Sequence, residues 1–217
     1  MTLKTILLFL CAFFALAVDA QTITNHQVNP VGEYKEIDLS KEMKIIEKLM
    51  DHKNKQKRSL MESVQLSANN YTPGLLYILS AALFADEQKD KAMFWFYVAQ
   101  LRARYDTNRC ADKTASPARY NSIIGLPINE YAMTHLDVLK RTVDSVVTYV
   151  KVNEENYDHR WINLEGMGAF TSAMDKKADK TPLSLPKEQW PAIKAATIKE
   201  YYDGFIEAMA SLAKKQK

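Results

Sequence analysis

The sequence predicts an all-α fold, a compact domain of about six helices, and three observations carry that expectation. Apolar residues step by four and three along Ala132, Leu136, Leu139, Val143, Val146 and Val150, and again along Ile198, Tyr202, Phe205, Met209 and Leu212. That is the period of one face of a helix and not of a strand. Between Ala92 and Leu101 only Gln100 is plainly polar, so this stretch reads as a helix that neighbours must cover on nearly every side. Ahead of it, Thr72-Pro73 opens another strongly apolar run to Phe84, with proline suited to a first helical turn.

The chain opens with Lys4 ahead of thirteen apolar residues, Ile6 to Val18, followed by Val18-Asp19-Ala20. A charged start, an apolar run of this length and small residues at its end are what an export machinery and a signal peptidase read, so residues 1-20 are expected to be a signal peptide removed before Gln21. As a membrane anchor the run falls short, because thirteen helical residues span about 20 Å against roughly 30 Å of hydrocarbon. Cys11 lies inside the run without the small residues expected before a lipidated cysteine. The expectation is an exported protein, periplasmic or secreted, of about 197 residues and with no stable membrane anchor. Cys110 is then its one cysteine and cannot close an internal disulfide, which leaves the core to hold the fold.

Net charge is +3, and it stays there after the leader is removed, since Lys4 and Asp19 leave together. That balance gives no reason to expect nucleic acid as a partner.

Residues 21-39 carry Asn, Pro and Gly without periodicity and read as an extended N-terminal arm; residues 40-217 read as a single helical domain. Ser40 fits an N-cap for a helix bearing Met43, Ile46 and Met50. The basic run Lys53-Asn54-Lys55-Gln56-Lys57-Arg58 is read as a solvated linker rather than a binding patch. Residues 59-68 fit a helix through Leu60, Val64 and Ala68, or a strand through Val64 and Leu66, and helix is preferred. Asp86-Glu87-Gln88-Lys89 makes a polar connection to the central helix, expected from about Asp90 to Tyr105.

Asp90-Lys91-Ala92 followed by Trp95-Phe96 and Ala99 resembles the second helix of a Sel1-like repeat, a relative of the tetratricopeptide (TPR) hairpin, in which small alanines let two helices approach closely. The resemblance spans residues 73-101. The Gly-rich loop of that family is missing between the helices, Arg102-Ala103-Arg104 stands where a turn glycine would come, and no second copy follows at the repeat period. It therefore implies one TPR-like hairpin inside a globular helical domain, since solenoid repeats need neighbours to bury their faces.

Polar candidates cluster in two places. Arg102, Arg104, Arg109 and Arg119 interleave with Asp106 and Asp112, and Thr107 to Pro117 is expected to be a loop folding back on the central helix. Guanidinium forks suit carboxylates, phosphates or a partner's acidic side chains; the competing reading is an internal ion-pair network that ties loop to helix. Cys110 reads either as a thiol activated by a neighbouring arginine or as an inert small hydrophobe. Farther on, Tyr157, Arg160 and Trp161, with Asp158 and His159 between them, read as a ligand-binding corner or as a packed loop anchored by tryptophan. Gly166 and Gly168 form a Gly-x-Gly with no strand before it, too little for a phosphate cradle.

Gly125-Leu126-Pro127 is expected to be a boundary that starts the long helix through Val150, and its apolar stripe is read as core rather than as a coiled-coil seam. Residues 175-186 read as a Lys/Asp/Pro-rich connection. The last helix begins near Pro191, and Lys214-Lys215 complements the negative end of its dipole.

The sequence carries no Gly-x-Ser-x-Gly and no Gly-Lys-Ser/Thr phosphate loop, and His26, His52, His135 and His159 stand far apart. No metal or cofactor is expected. Glu165 is the acid set among apolar neighbours and glycines, and it is the candidate if the protein is an envelope-polymer hydrolase. The preferred expectation is a non-enzymatic exported protein that binds another protein through the Arg-rich loop and the Trp161 corner, a neutraliser of a toxic enzyme being one such role. A structural or scaffolding factor is the third reading.

Overall fold

A computed structural model describes residues 31–175 and 181–215. The expected leader, the first part of the arm and the middle of the 175-186 connection lie outside those residues. Among the described residues the chain is all-α, with eight α-helices joined by short 3-10 turns. The one extended pairing described is an isolated antiparallel bridge between Cys110 and Ser184.

The arm, expected to be extended, folds into a 3-10 turn at Gly32–Glu36. Carboxylate chemistry docks it: Glu33 accepts from Arg160 at 3.0 Å and from the backbone N–H of Leu183 at 3.2 Å. Helix α1 (Ser40–Met50) then follows, and Asp38, not Ser40, supplies the side-chain oxygen that receives the Ser40 N–H at 2.9 Å. Helix α2 (Lys57–Leu66) takes the last two residues of the expected basic linker, Lys57 and Arg58, into its first turn, and it settles the helix-or-strand alternative in favour of helix.

Helices α3 (Pro73–Ala85) and α4 (Lys89–Arg109) make a tight hairpin. Its turn closes with the Gln88 N–H on the Leu83 carbonyl at 3.0 Å and the Glu87 N–H on the Phe84 carbonyl at 3.1 Å. That pattern puts a left-handed residue after the helix, where glycine is the usual choice, and here it is Glu87 with φ of 60°. Thr72 precedes α3 as expected, yet its hydroxyl does not cap the helix. Both its hydroxyl and its backbone N–H donate to Glu42 of α1, so an acid from another helix anchors the N-cap residue. Burial raises the Glu42 carboxyl above its usual range, against the pull of these two donors.

As the apolar run requires, α4 is the centre of the molecule: α3, α5, α6, α8 and the 3-10 helix His159–Glu165 all pack on it. Ala92, Ala99 and Ala103 are fully buried there, beside Phe96 and Leu101. The helix outlasts its expected end, so Thr107–Arg109 belong to α4 and the loop begins at Cys110.

The expected boundary at Gly125-Leu126-Pro127 lies inside a helix. Helix α5 runs Ala118–Thr134 straight through it, and the break falls at His135, before α6 (Leu136–Val152). Gly125 is there for close approach and not for a turn, because a Cβ on it would meet Phe96 Cζ at 2.9 Å. Pro127 forfeits one backbone bond to the carbonyl four residues back, at Ile123, a residue 72% exposed. An extra short helix, α7 (Met167–Asp175), follows the 3-10 helix, and α8 (Trp190–Lys215) closes the fold across α4 and α6.

Candidate functional site

The Arg/Asp constellation folds inward. Asp106 is fully buried and sits at a hub: its Oδ1 accepts twice from Arg109, at 2.6 and 3.1 Å, and its Oδ2 accepts from Trp161 Nε1 at 2.7 Å and Tyr157 Oη at 3.0 Å. Burial raises the Asp106 carboxyl to about 6, with Arg109 and the three donors opposing it. Arg109 is in turn packed between the rings of Tyr105 and Trp190, 4.2 and 4.7 Å from their centroids.

Arg102 makes a second buried hub one turn away. Its guanidinium donates to the Ala68 carbonyl at 3.1 Å and to Asn69 Oδ1 at 2.6 Å, and it lies over the Tyr149 ring. Glu155 faces it at 3.9 Å and is bound by Lys194 at 3.0 Å. These residues tie α4 to the Ala68–Asn70 turn, α6, the 3-10 helix and α8. Arg102, Asp106, Arg109, Tyr157 and Trp161 therefore present nothing to a partner, because each is buried and its hydrogen bonds run inside the protein, Arg102 Nε alone among their side-chain N and O atoms lacking one. The alternation of Arg and Asp in the sequence reads the same for a network and for a surface patch; only packing separates them.

The loop after α4 is organised by Asp112. Its Oδ1 accepts from the Thr114 N–H and hydroxyl at 2.8 and 2.6 Å, its Oδ2 accepts from the Gly168 N–H at 2.9 Å, and Thr114 Oγ1 accepts from the Met167 N–H at 2.8 Å. A loop thus caps the start of α7 from outside the helix. A Cβ at Gly166 would collide with the Asp112 carboxylate, and one at Gly168 would come within 2.8 Å of it. The Gly-x-Gly does approach an anion, and that anion is the protein's own Asp112.

Arg160 is saturated by three acids, Asp158 at 2.9 Å, Glu33 at 3.0 Å and Glu36 at 3.3 Å. His159 meets Ser184 Oγ at 2.6 Å, and burial with the nearby Arg109 charge lowers its imidazole to about 4. Cys110 is 1% exposed, its Sγ lies 2.9 Å from Asn163 Oδ1, and burial pushes the thiol up to about 11, surroundings that match the inert alternative. Glu165 Oε1 receives Arg119 and Tyr120 Oη, both at 3.2 Å, and lines none of the three grooves described below. Among the described residues no group of three His, Cys, Asp or Glu side chains is placed to hold a metal ion, and no helix is long and apolar enough to cross a membrane.

Arg104 and Arg119 are the two arginines of the constellation left exposed. Arg119 is engaged with Glu165; Arg104 has no carboxylate within 4 Å among the described residues and rests over the Tyr201 ring at 5.8 Å.

Three grooves among the described residues bear on the site. One, about 840 Å³, runs between α6 and α8, and the charges along it are mostly matched internally, as in Asp144 with Lys140 and Tyr202 and Lys199 with Asp203. A second, about 390 Å³, is apolar and lies among α1, α3 and α5, with Leu49, Ile78, Phe84 and Pro127 in its walls. Beside it stand Met50 at 61%, Ile123 at 72% and Leu126 at 64% exposed, large apolar side chains in water. Among the described residues its only charged or titratable lining residues are His52 and Lys57. The third, about 330 Å³, is polar and contains Arg104.

Sequence reasoning missed the apolar groove. Its one legible signal is Ile123-Ile124 with Leu126-Pro127-Ile128, apolar on both faces of a helix that can bury only one. Comparison of this chain with protein-family models, characterised proteins and solved structures finds no match.

Proposed function

We propose that this chain is a non-enzymatic, exported binding protein that holds an apolar segment of a partner protein in the groove among α1, α3 and α5. The observation that carries the reading is the exposure of Met50, Ile123 and Leu126 around an apolar cleft. Leaving three such side chains in water forgoes about 1.5–3 kcal/mol each, which a partner would recover on docking. Charge complementarity selects the occupant. Among the described residues the lining holds no acid, Lys57 is its one cationic residue, and Lys53 and Lys55 extend the positive charge along the adjoining linker. The segment that fits is an amphipathic helix with apolar anchors and a carboxylate at the end that meets Lys57. The basic linker, first read as solvated, becomes in this proposal the rim of the site. Export is part of the reading and rests on the leader at 1-20; the TPR-like character of the α3/α4 hairpin, supported by its alanines, is part of it too.

The test places a photocrosslinking amino acid at Ile123 in the producing cell and maps the crosslinked peptide by mass spectrometry. The expected product is one recurrent acidic-apolar segment of a single protein, and its synthetic peptide should bind the purified chain and lose at least tenfold in affinity on Ile123→Glu or Lys57→Glu. A crosslink to a second copy of this chain, scattered crosslinks, or a peptide indifferent to both substitutions would defeat the proposal.

A further inference from the structure

Helix α4 is covered on every side but one. Gln100, Arg104, Thr107 and Asn108 step along that side by four, three and one, and it forms one wall of the polar groove of about 330 Å³, with Ser116, Pro117, Ala118 and Asn121 facing it. A helix at the centre of a fold does not otherwise keep a polar stripe, because desolvating it without partners would be costly. Here the stripe opens to solvent and its members are held in fixed orientations. Asn121 Oδ1 accepts from Tyr77 Oη at 2.8 Å and from Gln100 Nε2 at 3.2 Å, while Gln100 Oε1 accepts from Tyr201 Oη at 2.8 Å. Those bonds leave the Asn121 amide N–H groups without a partner among the described residues. Asn108 donates its amide to Thr197 Oγ1 at 2.8 Å, which leaves its carbonyl oxygen in the same position.

From this arrangement we infer that the pocket binds a small hydroxylated carboxylate of about the size of a sugar acid. Among the described residues Arg104 is the single charged group in the lining, and no carboxylate lies within 4 Å of it. One guanidinium fork matches one carboxylate, whereas a phosphate dianion would leave a charge unmatched. The remaining lining offers amides and hydroxyls of both donor and acceptor type, the complement of a polyol. Its volume lies at the small end of ligand sites, which excludes long chains and dinucleotides. The inference is independent of the apolar groove: the two sites share α5 and no residue.

Calorimetric titration of the full chain with D-glucuronate and D-galacturonate, and with D-glucose and acetate as the two halves of the ligand, tests it. The expected result is saturable binding of at least one uronate in the millimolar range or tighter, with glucose and acetate each at least tenfold weaker. Arg104→Gln should weaken the uronate at least tenfold with an unchanged unfolding midpoint, since Arg104 is exposed and carries no ion pair among the described residues. Asn108→Ala should weaken the uronate several-fold and leave acetate unaffected. An Arg104→Gln protein that binds like the parent, acetate that binds as tightly as the uronate, or no uronate binding through the millimolar range would each overturn the assignment.

Discussion

Replacing Asp106 by asparagine tests the central structural claim, that the Arg-rich segment is an internal hub. The side chain keeps its shape and loses its charge. Arg109 would then be a guanidinium, 4% exposed as a residue, with its ion pair at 2.6 Å gone. Neither orientation of the new amide repairs this. With its oxygen toward Trp161 and Tyr157, its NH₂ faces Arg109. With its oxygen toward Arg109, its NH₂ meets the Trp161 N–H across 2.7 Å, donor against donor. Removing one partner of a buried pair costs about 3–5 kcal/mol, a large share of the roughly 5–15 kcal/mol that holds a domain together. For a chain of this length that corresponds to a Tm lower by about 6–20 °C. Urea unfolding at neutral pH, followed by far-ultraviolet circular dichroism, measures the loss. The double variant Asp106→Asn/Arg109→Gln should lose less than the two single losses added, by about 1–3 kcal/mol, because the uncompensated charge is gone. A single-variant loss below about 1 kcal/mol, or strictly additive losses, would refute the hub.

Other outcomes follow from the same contacts. Glycine to alanine should change sign with position: Gly204→Ala, with nothing within 4 Å of its Cβ, should stabilise α8 by about 0.5–1 kcal/mol, while Gly125→Ala should cost about 1–2 kcal/mol because its Cβ meets Phe96 at 2.9 Å, both read from urea midpoints. The His159 imidazole, lowered to about 4 from 6.5, should stay neutral in the folded protein where the unfolded chain takes up a proton, so its share of stability falls as pH drops from about 6.5 toward 4. An NMR titration of His159 checks this, and a folded-state midpoint near 6.5 would contradict it. Cys110 should resist a disulfide reagent such as DTNB at mildly alkaline pH until the chain unfolds, and rapid labelling of the folded protein would show that its burial is misjudged.

Much of the architecture is legible in residue order, because a helix announces itself through local spacing. The stripes at 136–150 and 198–212, the Thr72-Pro73 start and the nearly all-apolar 92–101 segment yield α6, α8, α3 and α4, and with them the central place of α4. Legibility failed where a residue serves two purposes. Glycine before a proline signals a turn by local rules, yet at Gly125 it exists to admit the Phe96 ring, a contact 29 positions away in sequence. The candidate site divides on the same principle. Composition shows that arginines and acids alternate between 102 and 119; it does not show that Arg102 and Arg109 turn inward while Arg104 turns out. Their separation into network and pocket depends on which face of α4 the Ala68–Asn70 turn, the 3-10 helix and α8 cover.

By itself the sequence determined that the chain is helical, that α4 is its axis, and which residue types are available for polar chemistry. Tertiary structure alone decided which of those polar groups are spent inside, which apolar residues are left in water, and where an internal carboxylate fills the place a ligand would take. The physical reason is range: helical periodicity is set by neighbours three and four residues apart, whereas burial of a side chain is set by segments that meet only when the chain has folded.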